Sequence, residues 1–481
     1  MKIQLTNGWF ASVMRGLGVR LLALVILAAL LPFGSVMTLP FLLAACASLA
    51  LTVTAAILFE EPKATKIPFR LALLIVILGC AWIGIQAIHQ TPAGWHDPTW
   101  AMAQAIFPGI SASISLAPGD AALSAIALAF PFSVFLCALL LCDTDARANM
   151  LLALLGTFGG LAAVFGIAQF LMAPGVLLVI DKTAYLDSLT GIFVNRNTAA
   201  TFYGLTFLIN LGRLRDHVLN GIRQGSRSGL ADQLLLIALI LFTFTALIAL
   251  MMTRSRAGIA ASGLAALIYV PYLVADWKKQ TARRRQPRWL PSAWGAGALA
   301  LTLVIFLIFG AQAILRLKTA GLAEDGRACI FPGLLDASRE SGLAGSGFGA
   351  FRFAFAPFRD PACGVGGIFD RAHNGYIEGY MGLGILFLIL LALALAGALY
   401  GLLAGWRNRK RSRHVSVLGF SGLLLVTFHA AFDFSLQIPG VAAFFAAFLA
   451  SVLSISMARM RRADPLPVAT MDEATAEPAR L

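Results

Sequence analysis

Charge is what this sequence has least of. Only 12% of its 481 residues are Asp, Glu, Lys or Arg, against roughly 25% in a soluble globular chain, while 59% are hydrophobic. A water-soluble fold is excluded. Cysteine is scarce too, six in all, and none stands at a spacing that suits zinc. A glycine-rich phosphate loop in strand-turn-helix context is also missing, so nucleotide binding has no motif to rest on. Neither a metal nor another cofactor is expected.

What is there is a succession of apolar runs of about 18–25 residues, long enough to cross a hydrocarbon core about 30 Å thick as helices. The expected fold is all-α: a polytopic helical membrane protein with about 12 transmembrane helices and one large periplasmic loop. The spans fall at residues 19–34, 38–59, 69–88, 120–142, 149–171, 196–212, 233–252, 257–275, 293–313, 378–404, 415–433 and 440–458. Residues 1–314 thus hold helices one to nine, 315–377 the large outer loop, 378–460 the last three helices, and 461–481 a disordered cytoplasmic tail rich in Pro, Ala and Glu. Pro32, Gly34 and Pro40 turn the first span straight into the second. A retained hairpin is expected there, not a signal peptide.

A net charge of +14 would suggest a nucleic-acid partner for a soluble protein. Here most of the 37 Lys and Arg fall on alternate loops, including Lys278 to Arg288 and Arg407 to Arg413. Positive charge on alternate loops is a topology signal, so both termini are expected in the cytoplasm and no nucleic acid is implied. Cys46, Cys80, Cys137 and Cys142 lie in spans, where small buried thiols are unremarkable in chemistry. Cys329 and Cys363 lie in the large outer loop, the oxidising side of a bacterial inner membrane, and can pair there as a disulfide.

Arginines on the outer face are informative, because topology gives no reason for them. Arg196 stands in Thr190-Gly-Ile-Phe-Val-Asn-Arg-Asn197 at the start of the sixth span. Arg254 and Arg256 stand in Thr253-Arg-Ser-Arg-Ala-Gly258, a tight outer turn, and Arg327 in Glu324-Asp-Gly-Arg327. Asp433 ends the eleventh span, and the large loop ends in Arg371-Ala-His-Asn-Gly-Tyr-Ile-Glu378. Singly, each arginine reads as a side chain reaching for headgroups or capping a helix. Together they offer rigid donor forks that match the oxygens of a lipid-linked phosphate or diphosphate. His373 supplies an imidazole, the side chain most often used as a base acting on a hydroxyl. Asp433 would orient the histidine or an arginine, or form a structural ion pair; Glu378 would orient His373 or cap the following helix. Gly342-Leu-Ala-Gly-Ser-Gly-Phe-Gly349 reads as a turn that lets backbone approach a ligand, or as a flexible loop. Trp95 and Trp100 read as interfacial anchors.

In this order the motifs resemble the O-antigen ligase and polymerase family of bacterial envelope glycosyltransferases. The resemblance covers about residues 150–450 and rests on Gly191-Ile-Phe-Val-Asn-Arg-Asn197, Ser255-Arg-Ala-Gly258, Gly345-Ser-Gly347 with Phe351, Ala372-His-Asn-Gly-Tyr-Ile-Glu378, and Asp433-Phe-Ser-Leu-Gln-Ile-Pro439. The chain departs from the family's pattern at Gly375, where Asp is commoner, and at Phe331, where Trp is. The resemblance implies an undecaprenyl-diphosphate-linked glycan donor at the periplasmic face of the inner membrane, with the glycan moved to an acceptor hydroxyl. It implies His373 as general base, Arg196, Arg254, Arg256 and Arg327 on the diphosphate, and Asp433 as partner to one of these groups. Asn195, Asn197, Asn374, Tyr376, Glu378, Gly345 and Gly347 would support them. Arginines would neutralise the leaving diphosphate, so the transfer is expected to be metal-independent. The acceptor stays open: lipid A core for a ligase, a growing lipid-linked glycan for a polymerase, or a protein hydroxyl for an oligosaccharyltransferase. A transporter of lipid-linked sugars is the rival from another class, and it would place ionisable residues near mid-span.

Overall fold

A computed structural model describes residues 8–224, 229–282, 326–363 and 368–458. The expected span at 293–313, residues Glu324 and Asp325, and the tail at 461–481 lie outside the described residues. The described chain is helical: α1 Trp9–Leu30, α2 Thr38–Leu58, α3 Lys66–Gln86, a short α4 Thr99–Ile106, α5 Ala121–Leu141, α6 Asp145–Met172, α7 Arg196–Gln224, α8 Leu230–Met252 and α9 Arg256–Ala282. After the undescribed stretch come α10 Gly326–Glu340, α11 Gly375–Leu383, α12 Ile385–Asn408, α13 Arg413–Ala430 and α14 Pro439–Met457. A two-stranded antiparallel ribbon, β1 Val176–Leu177 and β2 Ile180–Asp181, interrupts the loop before α7.

Among the described residues, 9 helices are long and apolar enough to cross a membrane. α7 and α13 fall outside that group, because they carry more polar and charged residues, yet both pack inside the bundle against α9 and against each other. Helix α14 is the shaft: 83% of its apolar window is buried, against 28% for α2 and α3. It packs on α5, α6, α12, α13 and α1. One apolar core runs through these helices.

Two expected boundaries move. The first helix begins at Trp9 instead of residue 19, because Arg15 and Arg20 dilute its apolar run without ending it. Arg15 is buried, donates to Asp143 Oδ2 at 2.7 Å and lies over the Phe59 ring, so its charge is accommodated inside the helix packing. The expected span at 378–404 is broken at Gly384 into α11 and α12. Gly384 has φ +62°, and a Cβ there would meet the Leu343 carbonyl oxygen at 2.0 Å, so only glycine fits. The amide of Ile385 donates to that same carbonyl at 2.9 Å.

We call the bundle end that carries the starts of α7 and α9 and the end of α13 the outer end, after the orientation expected from charge. Over it lies a cap with its own small core, Ile330, Leu334, Phe351, Phe355, Ala372 and Met381. A Cys329–Cys363 disulfide, with Cα atoms 5.6 Å apart, ties α10 to the end of this cap. Closing a 34-residue separation of this kind stabilises a fold by about 2–4 kcal/mol.

Candidate active site

The site is built where three helix termini meet. Asn195 precedes α7, and its Oδ1 accepts from the Asn197 amide at 2.7 Å, which fixes the first turn. Ser255 does the same for α9, its Oγ accepting from the Gly258 amide at 3.2 Å. Asn197 then joins three segments. Its Nδ2 donates to Asp433 Oδ1 at 3.0 Å, and its Oδ1 accepts from Ser255 Oγ at 2.8 Å. Asp433, just past the end of α13, is buried and also accepts from the Ser435 hydroxyl.

His373 sits at the rim of this junction. Its Nδ1 is 4.0 Å from Asp433 Oδ1, its side chain is 26% exposed, and its ring packs edge-on against Phe434 with centroids 4.9 Å apart. Nδ1 is buried and has no hydrogen-bond partner among the described residues, and a movement of about 1 Å would let Asp433 accept from it. The backbone here is left-handed, φ +53°, a conformation that costs a non-glycine residue roughly 1–2 kcal/mol. Its neighbours hold it in place. Asn374 caps α11 by accepting from the amides of Tyr376 and Ile377 at 3.0 and 3.1 Å, and the Tyr376 hydroxyl donates to the Thr427 carbonyl at 2.7 Å. Glu378 does not touch His373. It is buried and accepts from Arg371 Nη1 at 3.1 Å and from the Ala372 amide at 2.8 Å, clamping the end of the loop onto the first turn of α11.

The arginines stand around the same end, each differently held. Arg196 donates to Ser188 Oγ at 3.3 Å and lies 5.2 Å from the Tyr185 ring centroid. Arg254, exposed and left-handed at φ +54°, pairs with Asp187 Oδ2 at 3.0 Å. Burial alone would raise the Asp187 carboxyl, but the Ser188 hydroxyl, Arg254 and the nearby Arg196 outweigh it and hold it below its ordinary value. Arg256 begins α9 beside Ser255, and Arg327 lies in the first turn of α10.

The glycines allow close packing within the protein. A Cβ on Gly345, φ +77°, would meet the Gly384 amide at 2.6 Å, and one on Gly347, φ +104°, would meet Ser115 Oγ at 2.1 Å. Between them Ser346 donates its amide to the Met381 carbonyl at 2.7 Å and accepts from the Leu116 amide at 2.9 Å. The segment is a seam between the cap and the α11–α12 break. Trp95 is half exposed, and Trp100 opens α4 in the same outer segment.

Sequence reasoning did not single out Asp187, Ser188, Ser435 or His429. His429 precedes Asp433 by one helical turn, is buried, and its Nδ1 is 2.6 Å from Thr201 Oγ1. The i, i+4 spacing to Asp433 was the available signal. Ser435 lies inside the Asp433 motif, whereas Asp187 had none beyond lying on the same outer loop as Arg196.

The family model described as O-antigen ligase matches residues 241–392. No curated protein matches the chain. The matched segment runs from α8 into α12 and so includes Arg254, Arg256, Arg327, the disulfide and His373. Arg196 and Asp433 lie outside it, but Asn197 bonds Asp433 directly and Ser255 within the segment. The match over residues 241–392 supports the resemblance to the O-antigen ligase and polymerase family that the motifs carry.

Proposed function

We propose that this protein is a periplasmic-face glycosyltransferase of the O-antigen ligase type, moving a glycan from an undecaprenyl-diphosphate carrier to a hydroxyl of lipid A core. The observation that carries the reading is the pairing of an exposed-edged imidazole with a buried carboxylate 4.0 Å away, at the bundle end where the arginines collect. In the reaction the acceptor oxygen gives its proton to His373 and forms a bond to the anomeric carbon. The bond from that carbon to the carrier diphosphate breaks as the diphosphate leaves. Asp433 accepts from Nδ1–H, sets the tautomer that leaves Nε2 basic, and stabilises the imidazolium. Arg196, Arg256 and Arg327 neutralise charge on the departing diphosphate, with Arg254 held beside them by Asp187. The transfer needs no metal and no ATP, so it persists in EDTA.

The match to the O-antigen ligase family favours a ligase. The test is deletion of the gene and analysis of the surface and carrier-linked glycan. Full-length chains accumulating on the carrier support ligation to lipid A core. Single repeat units on the carrier would make the protein a polymerase, and an unchanged surface glycan would remove it from this pathway.

A further inference from the structure

At the end of the bundle opposite His373, a cavity of about 410 Å³ opens among α6, α7, α8, α13 and α14. Arg213, Arg215, Asp216, Arg411, Ser412 and His414 give it its polar wall. That wall holds three guanidiniums and one carboxylate. The carboxylate is engaged: Asp216 accepts from Arg215 Nη1 at 2.5 Å and lies 3.0 Å from His414 Nε2. Arg215 also bonds Asp276. Arg213 is different. Its partners are the neutral oxygens Asn210 Oδ1, at 2.9 Å, and Thr157 Oγ1, at 3.3 Å. Gly156 leaves the room for it, since a Cβ there would lie 2.9 Å from Arg213 Nη1. Arg411 is exposed and forms no ion pair among the described residues.

Two further features point the same way. Helix α13 begins at this wall, and Ser412 at its N-cap makes no side-chain capping bond, so the positive end of the helix dipole faces the cavity wall. His414, only 6% exposed, has a buried Nδ1 with no hydrogen-bond partner among the described residues. Membrane topology accounts for arginines at this end but not for a guanidinium drawn into helix packing beside neutral acceptors. Topogenic charge needs only to reach water, whereas a partly buried charge with no counter-charge pays desolvation for nothing.

We propose that this cavity is an anion site that takes a phosphate group, with Arg213, Arg411 and the amide end of α13 as its donors. The wall continues into Leu235, Leu239 and Val415, and Leu235 is 44% exposed on a helix long and apolar enough to face lipid. A phosphate carried on an acyl-chain lipid of the adjoining leaflet therefore fits, and free inorganic phosphate shares the same chemistry.

The test uses full-length protein in neutral detergent with three probes: phosphatidylglycerol, inorganic phosphate and phosphatidylcholine. Binding is read by lipid adducts in native mass spectrometry and by the shift in thermal unfolding. Phosphatidylglycerol is expected to bind and stabilise where phosphatidylcholine does not, and Arg213→Gln and Arg411→Gln are each expected to weaken binding about tenfold or more. Stabilisation by inorganic phosphate to the same extent, lost in the same variants, would identify free phosphate as the occupant. Equal behaviour of all three probes, or binding unchanged in the variants, would overturn the proposal. Arg411 is exposed, so its variant keeps the test decisive if Arg213→Gln fails to fold. No step of the test reads glycan transfer, so its outcome is independent of the transferase reading.

Discussion

The two ends of the helical bundle use the same side-chain types in different arrangements. At the inner end, Arg15 and Arg147 close on Asp143, Arg409 on Asp145, and Arg215 on Asp216 and Asp276. Three of these pairs, Arg15–Asp143, Arg409–Asp145 and Arg215–Asp276, tie segments that are far apart in sequence. At the outer end, Asp433 is held by an amide from Asn197 and a hydroxyl from Ser435, with an imidazole just beyond hydrogen-bond reach. Arg196 is held by a hydroxyl and an aromatic ring. The inner pairs lock segments together, whereas the outer junction sets a partly exposed imidazole at the edge of a buried carboxylate. The inner end reads as scaffold around one cavity, and the outer end carries the candidate site.

The largest expected effect tests that contrast directly. His373→Ala should lower transfer by about 10²–10⁴-fold, the usual loss of a general base, with expression and thermal unfolding unchanged. Turnover of a lipid-linked donor by the purified variant measures it, and normal turnover would take His373 out of the reaction. The inner end should give the opposite split. Arg215→Gln leaves Asp276 without its guanidinium while Asp216 keeps His414, and should cost about 3 kcal/mol of stability, the low end for a broken buried pair. Its residual folded fraction should turn over donor at the normal rate. A specific loss of turnover in folded Arg215→Gln would mean that the two ends are coupled and the contrast is wrong.

Next in size are the outer arginines. Lysine keeps the charge but not the fork, so Arg196→Lys, Arg256→Lys and Arg327→Lys should each slow transfer by about 10–100-fold. Arg352, 3.8 Å from Asp120, and Arg359, lying over Phe369, are controls that should tolerate lysine. Equal tolerance at all five positions, measured as donor turnover, would leave the arginines as headgroup contacts only.

The bundle was legible wherever a helix announced itself by an unbroken apolar run. It was less so where two physical effects cancel in composition. Arg15 dilutes its run, yet Asp143, 128 residues away, makes its burial tolerable. Gly384 looks like one more small residue in an apolar stretch, and only its neighbour Leu343 reveals a break. The candidate site stood out in the sequence through its arginines and its histidine, because topology gives no reason for them on the expected outer side. Its wiring did not. Asn197 reaches Asp433 across 236 residues, and Thr201 reaches His429 across 228, separations at which local spacing carries no signal. Gly345 and Gly347 were legible as glycines that a close approach requires, but the partner turned out to be backbone at Gly384 and the Ser115 side chain.

The smallest expected effect belongs to Asp187, a half-exposed carboxylate at the outer end that forms an ordinary ion pair with Arg254. Both side chains are about half exposed, 43% for Arg254 and 54% for Asp187, so solvent screens the pair and its worth is below about 1 kcal/mol. Because the folded carboxyl titrates below its ordinary value, the pair's contribution is fully present above the unfolded pKa of about 3.9 and is lost as pH falls through the folded one. Stability from this pair should therefore be flat across neutral pH and decline only in acid. Asp187→Asn should lower the unfolding temperature slightly at pH 7 and reduce the acid sensitivity, since asparagine has no proton to gain. Transfer at pH 7 should change less than about threefold, because Arg254 keeps its charge and loses only a surface tether. Thermal unfolding from pH 3 to 8 alongside donor turnover at pH 7 measures both. A tenfold loss of turnover in Asp187→Asn would show that the pair positions Arg254 for the diphosphate and is part of the site instead of a surface tether.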